Sequence, residues 1–118
     1  MLSAIVLDLQ GDDVLWIGGD CNLTCSGCTL TGNDETIEVG GNARLTLVGS
    51  TVTARSGEAL YVAGYAQATV TGSRLTGRPA GYVSGEATIT TMGTVYAGRL
   101  QRGGLARIVN QGGNTGVP

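Results

Sequence analysis

Apolar and polar residues alternate along the chain in runs of three to five, and glycine-containing turns separate the runs. Leu15-Trp16-Ile17 leads into Gly18-Gly19-Asp20, and Ile37-Glu38-Val39 leads into Gly40-Gly41-Asn42, at an offset of 22 residues. The offset persists. Asn22-Leu23-Thr24-Cys25 aligns with Arg44-Leu45-Thr46-Leu47, and Gly27-Cys28-Thr29-Leu30-Thr31 with Gly49-Ser50-Thr51-Val52-Thr53. Further copies follow at Gly72-Ser73-Arg74-Leu75-Thr76 and, with a one-residue adjustment, at Gly93-Thr94-Val95-Tyr96-Ala97. The first run recurs as Leu60-Tyr61-Val62 and again as Gly81-Tyr82-Val83.

A period of two means strands with one buried face. Three such strands in every 22 or so residues predict an all-β, single-stranded, three-sided parallel β-helix of about five coils. One coil cannot bury its apolar face alone, so like positions must stack in columns. Side one then stacks Leu15, Ile37, Leu60 and Gly81 beside Ile17, Val39, Val62 and Val83. Side two stacks Leu23, Leu45, Ala68 and Ala87 beside Cys25, Leu47, Val70 and Ile89. Side three stacks Leu7, Leu30, Val52, Leu75 and Val95, with Ile5–Leu9 as its first strand. The pattern weakens after residue 97. Residues 1–97 are therefore expected to form the β-helix, and 98–118 a last strand near Ala106–Val109 followed by an extended Gly- and Arg-containing arm.

Composition agrees with a thin-walled β-structure. The 118 residues include 21 Gly, no Phe and no His, so the core must come from Val, Ile, Leu, Ala and Thr. The net charge of −2 conceals a sorting: residues 1–43 hold seven acids and no base, while all seven arginines and only Glu58 and Glu86 follow. In a solenoid, sequence order is axial order, so this sorting becomes an axial polarity. The start, MLSAIVLDLQ, lacks a basic flank and is interrupted by Asp8, which predicts neither a secretory signal nor a membrane span and implies synthesis in the cytosol.

The chemistry points away from catalysis. Without His, a Ser-His or Cys-His nucleophile lacks its base. The aligned outward columns show no pair of acids such as glycoside hydrolysis needs. Cys21, Cys25 and Cys28 are too few to close a structural zinc site; they are expected to point inward as small apolar thiols, with a Cys25–Cys28 disulfide as the alternative. No metal or cofactor is expected, although Asp12-Asp13 and Asp34-Glu35 would stack as an acidic ridge at the long-loop corner, where weak calcium binding is the sharper reading. Lysine is absent, which argues against nucleic acid. The outward column of side one is the most unusual surface: Trp16, Glu38, Tyr61 and Tyr82, with Arg107 as a further candidate member. It gathers three of the chain's five aromatics and is the expected interface. Arg99, Arg102 and Arg107 are expected to dock a partner through the arm. Thr29-x-Thr31 and Thr51-x-Thr53 form an outward threonine array, as in ice-binding solenoids, but Arg74 and Tyr96 break it.

The Gly-Gly-Asp/Asn turns and the Thr-Val-Thr and Thr-Leu-Thr strands over residues 5–97 resemble the right-handed parallel β-helix superfamily, which includes pectate-lyase-like enzymes, phage tailspikes and other phage structural proteins. The resemblance implies a right-handed helix and a virion protein assembled in the host cytoplasm. A small, multi-copy head-decoration protein is expected, a side-by-side oligomer (a homotrimer) seated on the major capsid or another virion protein. Two alternatives stand beside it: a carbohydrate-binding β-helix or tail-fibre component, and a self-assembling cytoskeletal solenoid.

Overall fold

The computed structural model describes residues 15–115, together with the strand backbone at 2–3 and 6–8. The described residues are all β, a parallel solenoid of about four turns of about 22 residues, with no helix among them. Chain order runs β1 (Leu2–Ser3), β2 (Val6–Asp8) and β3 (Leu15–Ile17), then β4 (Asn22–Ser26), β5 (Thr29–Gly32) and β6 (Ile37–Val39). The next turns are β7 (Arg44–Val48), β8 (Thr51–Ala54) and β9 (Leu60–Val62), and β10 (Gln67–Thr71), β11 (Arg74–Thr76) and β12 (Gly81–Val83). Strands β13 (Thr88–Met92), β14 (Val95–Ala97), β15 (Leu100–Arg102) and β16 (Arg107–Asn110) complete the stack. Every third strand joins one sheet. Side one is β3-β6-β9-β12-β15, side two β1-β4-β7-β10-β13-β16 and side three β2-β5-β8-β11-β14, in that spatial order.

The register shows the predicted columns over the first turns. Leu15, Ile37, Leu60 and Gly81 are successive neighbours, as are Ile17, Val39, Val62 and Val83. Leu23 lies beside Leu45, and Leu30 beside Val52. Their inward side chains fill a narrow core of Leu, Ile, Val and Ala. Each fully buried Leu or Val contributes roughly 1.5–3 kcal/mol relative to exposure.

Three expectations need correction. Ala68 and Val70 stack on Ile89 and Thr91, two residues beyond the expected Ala87 and Ile89. Ala87 instead sits at the turn, buried like Ala43, Ala66 and Ala106. On side three, Leu75 is followed by Tyr96, which is 3% exposed, while the expected Val95 faces outward at 37%. Finally, the coils continue past residue 97: Leu100–Arg102 pairs with β12, Arg107–Asn110 with β13, and Thr115 bridges to Val95. Residues 98–115 are thus wound onto the solenoid, because Leu100 and Ala106 still supply inward apolar side chains. Residues 116–118 of the expected arm, and Ile5 and Leu9 of the expected first strand, lie outside the described residues.

The three corners differ in regularity. From side one to side two the step is always eight residues, as from Leu15 to Leu23 or Leu100 to Ile108. From side two to side three it is seven in each of the first four turns, as from Leu23 to Leu30 or Ile89 to Tyr96, and one residue longer in the last, where Thr115 pairs with Val95. Most of the variation falls in the third corner, whose loops hold four (33–36), five (55–59), four (77–80) and two residues (98–99).

The two regular corners are constrained by backbone geometry. At the first, each turn places a positive-φ glycine directly over the one before: Gly19, Gly41, Gly64, Gly85 and Gly104. At the second, a positive-φ glycine precedes an inward polar residue in the column Cys28, Ser50, Ser73, Thr94 and Asn114. These side chains make a vertical ladder. The N–H of Cys28 donates to Ser50 Oγ (3.2 Å), that of Ser50 to Ser73 Oγ (3.1 Å), and that of Thr94 to Asn114 Oδ1 (2.9 Å). Buried backbone donors are thereby paired where no strand can pair them.

The C-terminal end of the core closes with polar groups. The inward column of Val39, Val62 and Val83 ends at Arg102, and that of Leu47, Val70 and Thr91 ends at Asn110. Tyr96 donates to Thr91 Oγ1 (2.7 Å), Thr91 donates to Asn114 Oδ1 (3.0 Å), and Asn114 Nδ2 donates to Thr91 O (2.9 Å) and Asn110 Oδ1 (2.7 Å). Polar terminal repeats are the usual way a solenoid ends its core.

Candidate functional site: the aromatic wall

The outward residues of side one follow from strand parity: when Leu15 and Ile17 point in, Trp16 must point out. The register aligns Trp16, Glu38, Tyr61, Tyr82 and Gln101 in one column. Gln101 therefore holds the fifth place that Arg107 was expected to share. Arg107 belongs to side two, in the column of Asn22, Arg44, Gln67 and Thr88, because the fifth turn is shortened at the third corner.

The column is not uniform. The rings of Tyr61 and Tyr82 stack with centroids 5.6 Å apart and planes within 7°. Each therefore covers a face of the other, and the pair presents mainly edges outward. The Tyr61 and Ser84 hydroxyls lie 3.4 Å apart as a hydrogen-bonded pair. Trp16 is different. Its ring lies over Gly18, where a Cβ would collide with it, and the residue remains 66% exposed. One indole face is thus free. Tyr65, at the adjoining corner, is 65% exposed and extends the aromatic surface around the edge.

The three arginines assigned to an arm occupy three separate places. Arg99 is in the third corner, Arg102 closes an inward column and Arg107 lies on the outer face of side two. The cysteines are likewise split. Cys25 and Cys28 are buried, whereas Cys21 is exposed, contrary to the inward expectation. Strand β1 pairs only with Cys25 and Ser26, so among the described residues nothing lies beneath Cys21–Thr24. All three are free thiols. Burial, followed by the hydrogen bond and charge of Cys28, pushes the Cys25 thiol up to about 12.

Of the acidic ridge, Asp12 and Asp13 lie outside the described residues. The ridge has a member that alignment missed. The Thr36 N–H donates to Glu58 O (3.0 Å), which places Glu35 at the position adjoining Glu58 one turn on, so one acid pair does occupy successive coils. The variable length of the third corner hid it. Among the described residues no group of three or more His, Cys, Asp or Glu is placed to hold a metal ion, and no helix is long and apolar enough to cross a membrane.

Threonine columns are also longer than expected. On side three, Thr31, Thr53 and Thr76 align, while Thr29 and Thr51 give way to Arg74 and Val95. Side two carries an unanticipated column, Thr24, Thr46, Thr69 and Thr90. Its signal was already present in the aligned Leu-Thr pairs at 23–24 and 45–46.

No family model, curated protein or solved structure matches the chain.

Proposed function

We propose that this chain is a non-enzymatic structural protein of a virus particle, a short solenoid that associates side by side with its own copies and decorates a capsid surface. The observation that carries the reading is the outward column of Trp16, Tyr61 and Tyr82, shared with Glu38 and Gln101 and continued at Tyr65. Rigid aromatics lose little conformational freedom on binding and dominate interface energetics. A three-sided rod with one aromatic wall is suited to cyclic association, in which each copy contributes the same patch. Arg99, Arg102 and Arg107 supply positive charge towards the C-terminal end for an acidic capsid protein. The absence of histidine supports the non-enzymatic part of the reading.

Native mass spectrometry of the purified chain tests this. A discrete small oligomer, reduced to monomer when Tyr61 and Tyr82 are both replaced by Ser, is expected. A monomer at every concentration overturns the interface, and failure to co-sediment with any capsid overturns the decoration role.

The carbohydrate reading retains one specific support, the free indole face of Trp16 over Gly18. The mutual stacking of Tyr61 and Tyr82 weighs against it, since sugar rings pack on open faces. Tryptophan fluorescence titrated with polysaccharides separates the two. The filament reading has less behind it, because Arg102, Asn110 and Asn114 give the C-terminal end a polar cap.

A further inference from the structure

The third corner is where most of the change in coil length is taken up, and its last step is the largest. Four residues (77–80) turn the corner into β12, and only two (98–99) turn it into β15 one coil later. The shortfall leaves a depression of about 350 Å³ between the two turns, lined by Gly77, Arg78, Pro79, Gly98, Arg99 and Gln101. That volume lies at the lower end of the range for small-ligand sites.

The lining has a consistent chemistry. Arg78 and Arg99 are both exposed, and neither forms an ion pair among the described residues. Gln101 adds an amide and Pro79 an apolar ring, and there is no acid in the lining. The acids of this corner, Asp34, Glu35 and Glu58, all belong to earlier turns. The glycines fix the backbone rather than open the space. A Cβ on Gly77 would stand 2.7 Å from Gly57 O, and one on Gly98, whose φ is +127°, would strike Gly77 O. The two arginine-bearing turns are therefore held closely against each other.

We propose that this notch is a binding site for a small organic oxyanion, a carboxylate or phosphate carried on a group of about monosaccharide size. Two guanidinia on adjoining turns match the planar, multiply accepting oxygens of such a group. Gln101 recognises a hydroxyl beside the anion, and the Pro79 ring packs its apolar side. In solenoids, coil-to-coil differences in loop length often concentrate on the binding face, and here most of them fall at this corner. The site does not depend on the oligomer proposed above, because Gln101 stands at the margin of the aromatic column and the rest of the lining lies off it.

The test is a nuclear magnetic resonance titration of the full-length protein, following the Gly77 and Gly98 amides. The probes are glucuronate, glucose 6-phosphate, inorganic phosphate and glucose. Saturable shifts with the two sugar acids are expected, with R78Q and R99Q each weakening binding about tenfold, as for loss of one charged hydrogen bond. The control R44Q sits on side two, where Gln67 already holds the same column, and should leave binding unchanged. Phosphate binding as tightly as the sugar acids supports the oxyanion site with charge as its whole recognition; weaker phosphate binding supports contact with the organic part as well. Glucose binding as tightly as glucuronate, non-saturating shifts, or an equal loss in R44Q overturns the proposal. An unchanged native mass throughout keeps this outcome separate from the oligomer reading.

Discussion

A Cβ placed on Gly64 would lie 3.1 Å from the carbonyl oxygen of Gly41 and 3.2 Å from its nitrogen. Both glycines have positive φ, and their turns stack directly, Tyr65 N–H donating to Gly41 O at 2.9 Å. The first corner is thus a pile of near-identical turns with no lateral space. The equivalent glycine of the second corner, Gly49, has a positive φ but nothing within 4 Å of a built Cβ. The pair separates conformational cost from stacking cost. Gly49→Ala should lose about 1 kcal/mol, the cost of a left-handed alanine. Gly64→Ala should lose about 1–2 kcal/mol more, because the atoms that must move are backbone. Urea melts of the two variants check this; equal losses would mean that the corner relaxes freely.

The Tyr96–Val95 exchange supports a second prediction. Tyr96 fills the inward column above Leu75 and donates to Thr91, whereas Val95 faces outward. Tyr96→Ala should cost about 3–5 kcal/mol, in the range for a buried aromatic. Val95→Ala should stay within about 0.5 kcal/mol. Thermal unfolding by circular dichroism distinguishes them.

The same exchange shows how far the sequence could be read. Turns one to three were legible because Gly-Gly-Asp/Asn and Thr-x-Thr recur there with apolar partners, so Leu23 over Leu45 and Leu30 over Val52 followed directly. In the fourth turn, Thr91 and Tyr96 replace aliphatics at inward positions, and an apolar-in rule shifts the strand to Ile89 and Val95 instead. A buried hydroxyl pair is invisible to hydrophobic pattern, since its partners lie elsewhere in the fold: Tyr96 donates to Thr91, and Thr91 to Asn114. The aromatic column was legible from strand parity alone. The Arg78–Arg99 notch was not, because it arises from the difference in length between two loops.

Stability should be flat across neutral pH, since the chain has no histidine, and should fall at high pH. Cys25 rises from 9.0 to about 12, with burial the main cause and the Cys28 hydrogen bond and charge next. Tyr96 rises from 10.0 to about 12, also through burial, which outweighs the lowering effect of its bond to Thr91. Both folded values exceed the unfolded ones, so the folded state keeps its protons while the unfolded state releases them. The contribution is whole below about pH 9 and is lost as pH climbs towards 12. Melting temperature measured from pH 7 to 12 should decline from about pH 9, and Cys25→Val should flatten the first part of that decline. An unchanged slope in Cys25→Val would mean that the thiol is accessible to base.

Truncation gives the sharpest contrast between an arm and a wound coil. If residues 98–118 were a free arm, their removal would leave the fold intact. They include Leu100 at 2% exposure, Ala106 at 4%, two paired strands, and the Asn114 amide that satisfies the Thr94 N–H. A chain ending at Ala97 would open the Val83 and Ile89 columns to water and orphan the ladder donor at Thr94, a loss of several kcal/mol by apolar exposure and unpaired polar groups together. Marginal domains do not survive that. The truncated chain should therefore be unfolded or aggregated, and capsid attachment must be probed by substitution instead. Arg99, Arg102 and Arg107 are all exposed, so replacing all three with Gln should keep the melting temperature within a few degrees of the parent. Co-sedimentation of that variant with capsids then reads attachment without loss of the fold, and undiminished attachment would remove these arginines from docking.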